Sequence, residues 1–238
     1  KSSIKLKSMS CTVGNLAVSR SSCVVNKSSR DVRSPPTLFF FKFHHLPYQR
    51  FVSLCCTSSR LMLKDAAIGC AEYYRASGDR TALLAARKYF DIAYECFTGV
   101  RFTAPKFNED TYDYKSLSPV MIMLSTAQTM RSVDIEQSNR YSKIAKDCLD
   151  EILYGGFLTE HALLEHVSKN GLAVDTPTGR IINPGHSMEA AWFVMLEGIL
   201  TDNQQAISIG KRIIDITLPI GWDQKHGGII SFADAAGK

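Results

Sequence analysis

Four things are missing from this 238-residue chain, and each absence narrows what it does. No run of eighteen or more apolar residues occurs, which argues against a membrane-spanning helix. No glycine-rich loop leads into Lys-Ser or Lys-Thr, so there is no phosphate cradle of the nucleotide-hydrolase kind. The seven cysteines, Cys11, Cys23, Cys55, Cys56, Cys70, Cys96 and Cys148, are odd in number and fall at no metal-ligand spacing. That usage fits a reducing compartment, with Cys70, Cys96 and Cys148 as small core residues of helices. Acid is scarce only at the start: residues 1–60 hold ten Lys or Arg against the single Asp31.

The formal charge of +5 therefore belongs to the N-terminal quarter, because the rest has 18 basic and 22 acidic residues. That quarter is Ser-rich and has no sustained helical or strand period. It reads as a disordered, non-homologous extension, with an organelle transit sequence as the alternative. A basic nucleic-acid arm is the third reading, and without an accompanying fold motif it is a weak one. The chain opens on Lys1 rather than Met, so we expect it to be incomplete at its start.

From residue 61 the pattern changes to amphipathic helices joined by short turns. The spacing predicts helices over about Leu61–Ala76, Arg80–Phe97, a third through Val120–Met130, Glu136–Leu153, Met188–Leu200 and Asn203–Leu218. Pro119 suits the first turn of the third helix, and Pro219 is expected to stop the last one. Residues 100–116 read as a polar loop whose acids, Glu109, Asp110 and Asp113 among them, are solvated. Leu163–Gly171 alternates as an extended segment ending in an Asn-Gly turn. Gly221–Phe232 reads as an aromatic-acid turn with a Gly-Gly hairpin, His226 on its surface. Sequential helical hairpins of this kind make an all-α domain over 61–238.

One stretch carries chemistry: Arg180-Ile181-Ile182-Asn183-Pro184-Gly185-His186-Ser187-Met188-Glu189-Ala190-Ala191-Trp192-Phe193. The Asn-Pro-Gly turn puts His186 at a helix entrance. Helical spacing places Glu189 beside it and Trp192 and Phe193 further along the same face. An imidazole can take or give a proton near neutral pH, and a carboxylate at its other nitrogen fixes its tautomer. The plainer reading is an N-capping histidine followed by a first-turn Glu.

This string resembles the hallmark of the N-acylglucosamine 2-epimerase family, also called renin-binding proteins: R-x-x-N-P-G-H-x-x-E-x-x-W-F, matched at every fixed position. Two further stretches resemble the family, an extended segment with an acid at Glu165 and Gly221-Trp222-Asp223 with Gly227-Gly228. The resemblance covers about 61–234 and implies an (α/α)6 barrel, of which about half the hairpins are present. It also implies that a substrate-binding arginine and a second catalytic histidine belong to hairpins outside this chain, which is thus expected to be a fragment.

The activity implied is inversion at C2 of an N-acylated amino sugar, interconverting N-acetylglucosamine and N-acetylmannosamine. The resemblance implies that His186 transfers the proton and Glu189 orients and polarises it. Arg180, Glu165, Trp192 and Trp222 are the candidate substrate-binding residues, with a neighbouring carboxylate the alternative partner of Arg180 and core packing the competing reading for both tryptophans. No metal is implied, since His186 and Glu189 lack further ligands. No cofactor is required, and ATP or another nucleotide enters only as an effector. The expected partners are the amino sugar and, in the alternative, a second copy; neither nucleic acid nor membrane is expected, and the location is cytoplasmic. Competing functions are a non-catalytic renin-binding-type interaction protein, an epimerase of free mannose or a β-linked disaccharide, and a glycoside hydrolase using Glu165 and Glu189 as its acid pair.

Overall fold

A computed structural model of the chain describes residues 60–102 and 113–237. The basic leader, the acids Glu109 and Asp110, and four of the seven cysteines fall outside the described residues. In order, the elements are α1 (Arg60–Ser77), α2 (Arg80–Phe97), β1 (Tyr114–Ser116), α3 (Leu117–Val133), a 3-10 turn (Ile135–Gln137), α4 (Ser138–Tyr154), β2 (His166–Ser168), β3 (Ile181–Ile182), α5 (Pro184–Leu200), α6 (Gln204–Gly221) and β4 (Ala233–Asp234).

The helices pack as three sequential antiparallel hairpins, α1 with α2, α3 with α4 and α5 with α6. The first helix of each hairpin forms an inner row, in which α1 packs on α3 and α3 on α5. The sequence separates the two rows. In α4 the buried residues Tyr141, Ile144, Ala145, Cys148, Leu149 and Ile152 follow the i, i+3, i+4 rule, so one face meets the core and the other meets water. In α3 burial runs almost all the way round, through Leu117, Val120, Met121, Met123, Leu124, Thr126, Ala127, Gln128 and Met130. A helix apolar on every side must be covered on every side. This two-row stack of helical hairpins is the construction of an (α/α)6 barrel.

Buried polar links fix the rows. Arg131 on α3 grips Glu197 on α5 through two hydrogen bonds of 2.8 and 2.7 Å, and Gln128 donates to the same carboxylate at 3.0 Å. Arg87 on α2 does the same to Asp134 at 2.7 and 2.6 Å, and the Tyr141 hydroxyl adds a third donor at 2.9 Å. The Lys64 ammonium on α1 donates to the Pro119 carbonyl of α3 at 2.8 Å. Between α5 and α6 the approach is too close for a side chain at Gly210, where a Cβ would come within 2.9 Å of the Ala191 carbonyl.

Three boundaries differ from the sequence reading. α5 begins at Pro184, four residues before the expected start, because proline is well suited to the first helical position, where its missing N–H has no partner to lose. Pro219 does not stop α6, which continues to Gly221; proline's fixed φ is helical, so near a C-terminus it removes one hydrogen bond without turning the chain. The expected loop 100–116 ends in strand β1, paired antiparallel with β2 so that Ser116 faces His166. Asp113 is exposed and paired with Lys169.

Candidate functional site

The mouth of α5 is built by its own sequence. Asn183 is extended (φ −106°, ψ 101°), and its side-chain oxygen accepts the backbone N–H of His186 at 3.1 Å, which caps the helix. Asparagine is therefore the capping residue, and the plainer reading of His186 as the cap does not hold. The histidine is the third residue of the helix, after Pro184 and Gly185, with its side chain 35% exposed.

The imidazole's partner is not Glu189. Its Nδ1 lies 2.9 Å from Oε1 of Glu165, a residue only 6% exposed. Glu189 sits on the exposed side of α5, so the expectation that it orients His186 is corrected. The physical reason lies in the extended segment. Side chains at 163, 165 and 167 share one face, and on that face Leu163 and Val167 are fully buried. A carboxylate projecting between them has lost water and must find a donor, and the ring at the α5 mouth supplies it. The main chain holds Glu165 from both sides: its N–H donates to the Ile181 carbonyl and its carbonyl accepts the N–H of Leu117, each at 3.0 Å. An ionised carboxylate can only accept, so Nδ1 carries the hydrogen and the neutral ring places its lone pair on Nε2.

The other candidates are distributed differently. Arg180 is occupied by carboxylates, with Nε 3.1 Å from both oxygens of Asp234 and Nη1 2.6 Å from Asp175. These two acids hold its guanidinium firmly protonated, above the usual arginine range. Arg180 thus meets neighbouring carboxylates, one of the two kinds of partner expected of it, and fastens β3 to β4. The aromatic pair also divides, because Phe193 is buried and Trp192 is 54% exposed, with ring centroids 5.1 Å apart. A shared face for His186, Glu189 and both rings therefore does not form.

Trp222 follows the last residue of α6, is 44% exposed and bridges to Ile229. Its chain neighbour Gly221 ties it to the α5 mouth, abutting Pro184 so tightly that a Cβ there would sit 2.5 Å from the proline ring. Neither tryptophan is core. His226 is exposed and pairs with Asp223 at 3.1 Å within its own turn. With Glu165 committed to His186 and Glu189 exposed, the two glutamates do not present the facing acid pair that glycoside hydrolysis uses.

Sequence reasoning gave no role to Ser116 or His166, whose Oγ and Nδ1 are 3.0 Å apart across the β1–β2 ribbon. The contact of Glu165 with His186 had a signal in the sequence: an acid at the centre of an apolar alternating segment.

Comparison with known proteins bears on the family and on the fold. The profile of the N-acylglucosamine 2-epimerase (GlcNAc 2-epimerase) family matches residues 66–238. The N-acylglucosamine 2-epimerase of Mus musculus is 31% identical over 118 residues, which is 49% of this chain and 28% of that protein. This chain's match thus spans well under half of that relative's length. A D-mannose isomerase structure superposes with a TM-score of 0.59 at 17% identity, covering 75% of this chain and 47% of the other. A sugar epimerase from a ruminal bacterium gives 0.57 at 16%, covering 74% and 48%. At such identities the two structures speak for the fold alone. The hallmark string, the hairpin stack and the profile match together place this chain in the N-acylglucosamine 2-epimerase family.

Proposed function

We propose that this chain carries one proton-transfer half of a sugar 2-epimerase acting on N-acetylglucosamine and N-acetylmannosamine. The observation that supports it is the His186–Glu165 pair at a helix mouth, an imidazole with its lone pair directed away from a buried carboxylate. In the open-chain sugar, Nε2 of His186 takes the C2 proton. The C–H electron pair moves toward C1 and leaves negative charge on the carbonyl oxygen. A proton returned to the opposite face of C2 completes the inversion, and ring closure follows. Nothing is oxidised or reduced, so the step needs no cofactor, and a nucleotide would act only as an effector. Trp222, beside the α5 mouth and half exposed, is the residue best placed to meet the apolar face of a sugar.

The test is exchange rather than net turnover. One base suffices to remove the C2 proton and return a deuteron from D2O, whereas inversion needs groups on both faces. We expect the C2–H signal of N-acetylmannosamine to decay in the presence of the protein in D2O, and the His186→Ala variant to lose ~10²–10⁴-fold in that rate. A His186→Ala variant that exchanges as fast as the parent overturns the assignment.

A second reading rests on the exposed Trp192, Ile199 and Leu200 of α5, which favour self-association through this helix. Sedimentation measurements decide it, and a monomer at all concentrations removes it. No helix among the described residues is long and apolar enough to cross a membrane. We propose a cytoplasmic location, in keeping with Cys70 and Cys148, which stand in helices outside any disulfide.

A further inference from the structure

We propose that Glu165 is the positioning residue of the site: it selects the His186 tautomer whose Nε2 is the base, a task that the hallmark glutamate Glu189 does not perform. This deepens the reading of His186 as the proton-transfer group and rests on it. Three observations carry it. The Nδ1 to Oε1 distance of 2.9 Å is that of a charge-assisted hydrogen bond. The carboxylate is 7% exposed, so water does not compete for it and the ring is its route to satisfaction. Its backbone is tied at 3.0 Å to Leu117 on one side and Ile181 on the other, so the acid cannot retreat when the ring moves.

Geometry sets the consequence. An unconstrained neutral histidine favours the hydrogen on Nε2, which would leave no lone pair there for a C–H proton. A fixed acceptor at Nδ1 reverses that preference and holds the ring plane as well. Glu189 is on the exposed side of α5, while Glu165 reaches Nδ1 from a segment packed beneath the helix mouth.

The experiment is a long-range proton–nitrogen NMR correlation on the full chain with ¹⁵N-labelled histidine, at a pH where the ring is neutral. His186 is assigned by the signal lost in His186→Gln. The parent is expected to show the hydrogen on Nδ1. Glu165→Leu fits the apolar face and removes the acceptor, so the hydrogen should move to Nε2. Glu165→Gln keeps an acceptor oxygen and should restore Nδ1–H, and Glu189→Ala should leave the parent tautomer in place.

Nε2–H in the parent chain overturns the proposal without reference to any variant. So does Nδ1–H persisting in a folded Glu165→Leu, or a tautomer change in Glu189→Ala. The outcome is separable from the catalytic reading. Nδ1–H without C2 exchange sinks the epimerase assignment and keeps the positioning role, whereas exchange with Nε2–H keeps the epimerase activity and removes both the positioning role and Nε2 of His186 as its base.

Discussion

Arg131 and Glu197 meet through two parallel hydrogen bonds in the seam between α3 and α5, and Gln128 holds the same carboxylate from the side. Glu197 is 1% exposed. Replacing it with Ala leaves the largely buried Arg131 guanidinium without its acceptor and the Gln128 amide with the Phe193 carbonyl alone. We expect a loss of ~3–5 kcal/mol, the range for breaking one partner of a buried pair. Urea unfolding of Glu197→Ala checks it, and a midpoint equal to the parent's would show that the seam is not held this way.

Asp134 gives stability a pH dependence. Burial alone would push its carboxyl up, but the hydrogen bonds from Arg87 and Tyr141 outweigh that and hold it below the usual carboxylate range. A folded-state value below the unfolded one means the carboxylate's contribution is complete above about 3.9 and fades as the pH falls through the folded value. Asp134→Asn should therefore be markedly less stable than the parent at pH 7, and the gap should narrow at pH 3. A gap that stays constant with pH would remove this account.

Cys148 should be chemically silent in the folded chain. Burial pushes its thiol up to about 12, so almost no thiolate exists at pH 8. Peptide-resolved alkylation with iodoacetamide is expected to be at least ~100-fold slower at Cys148 in native buffer than in urea. Labelling at similar rates in both would mean that α4 is not packed over it.

The cap at Asn183 should matter twice. Asn183→Ala removes the acceptor of the His186 N–H and should cost ~1 kcal/mol in a thermal melt. It should also slow C2 exchange by more than that loss of stability unfolds, because the same bond fixes where the base sits. An unchanged exchange rate in a folded Asn183→Ala would separate the cap from the site.

The helices were readable because their apolar residues recur at helical spacing, as Tyr141 to Ile152 do along α4. Their ends were less so. Proline was read as a breaker at both Pro184 and Pro219, although its φ suits a helix and only its missing N–H does not. The site divided in the same way. His186 was evident from local sequence, since the turn and the helix that place it are neighbours in the chain. Its partner was not, because spacing along one helix suggests Glu189, whereas tertiary packing brings Glu165 from twenty-one positions earlier. Which carboxylate Arg180 meets was hidden for a related reason: Asp234, fifty-four positions on, takes its guanidinium, and nothing in local spacing announces that pairing.

Gly221 lies against Pro184 with no room for even a methyl group between them. The exit of one helix and the entrance of another are therefore a single joint, and the half-exposed indole of Trp222 is the next residue along the chain. A methyl group at Gly221 would have to displace Pro184, the first residue of α5, so the seating of that helix depends on a position without a side chain.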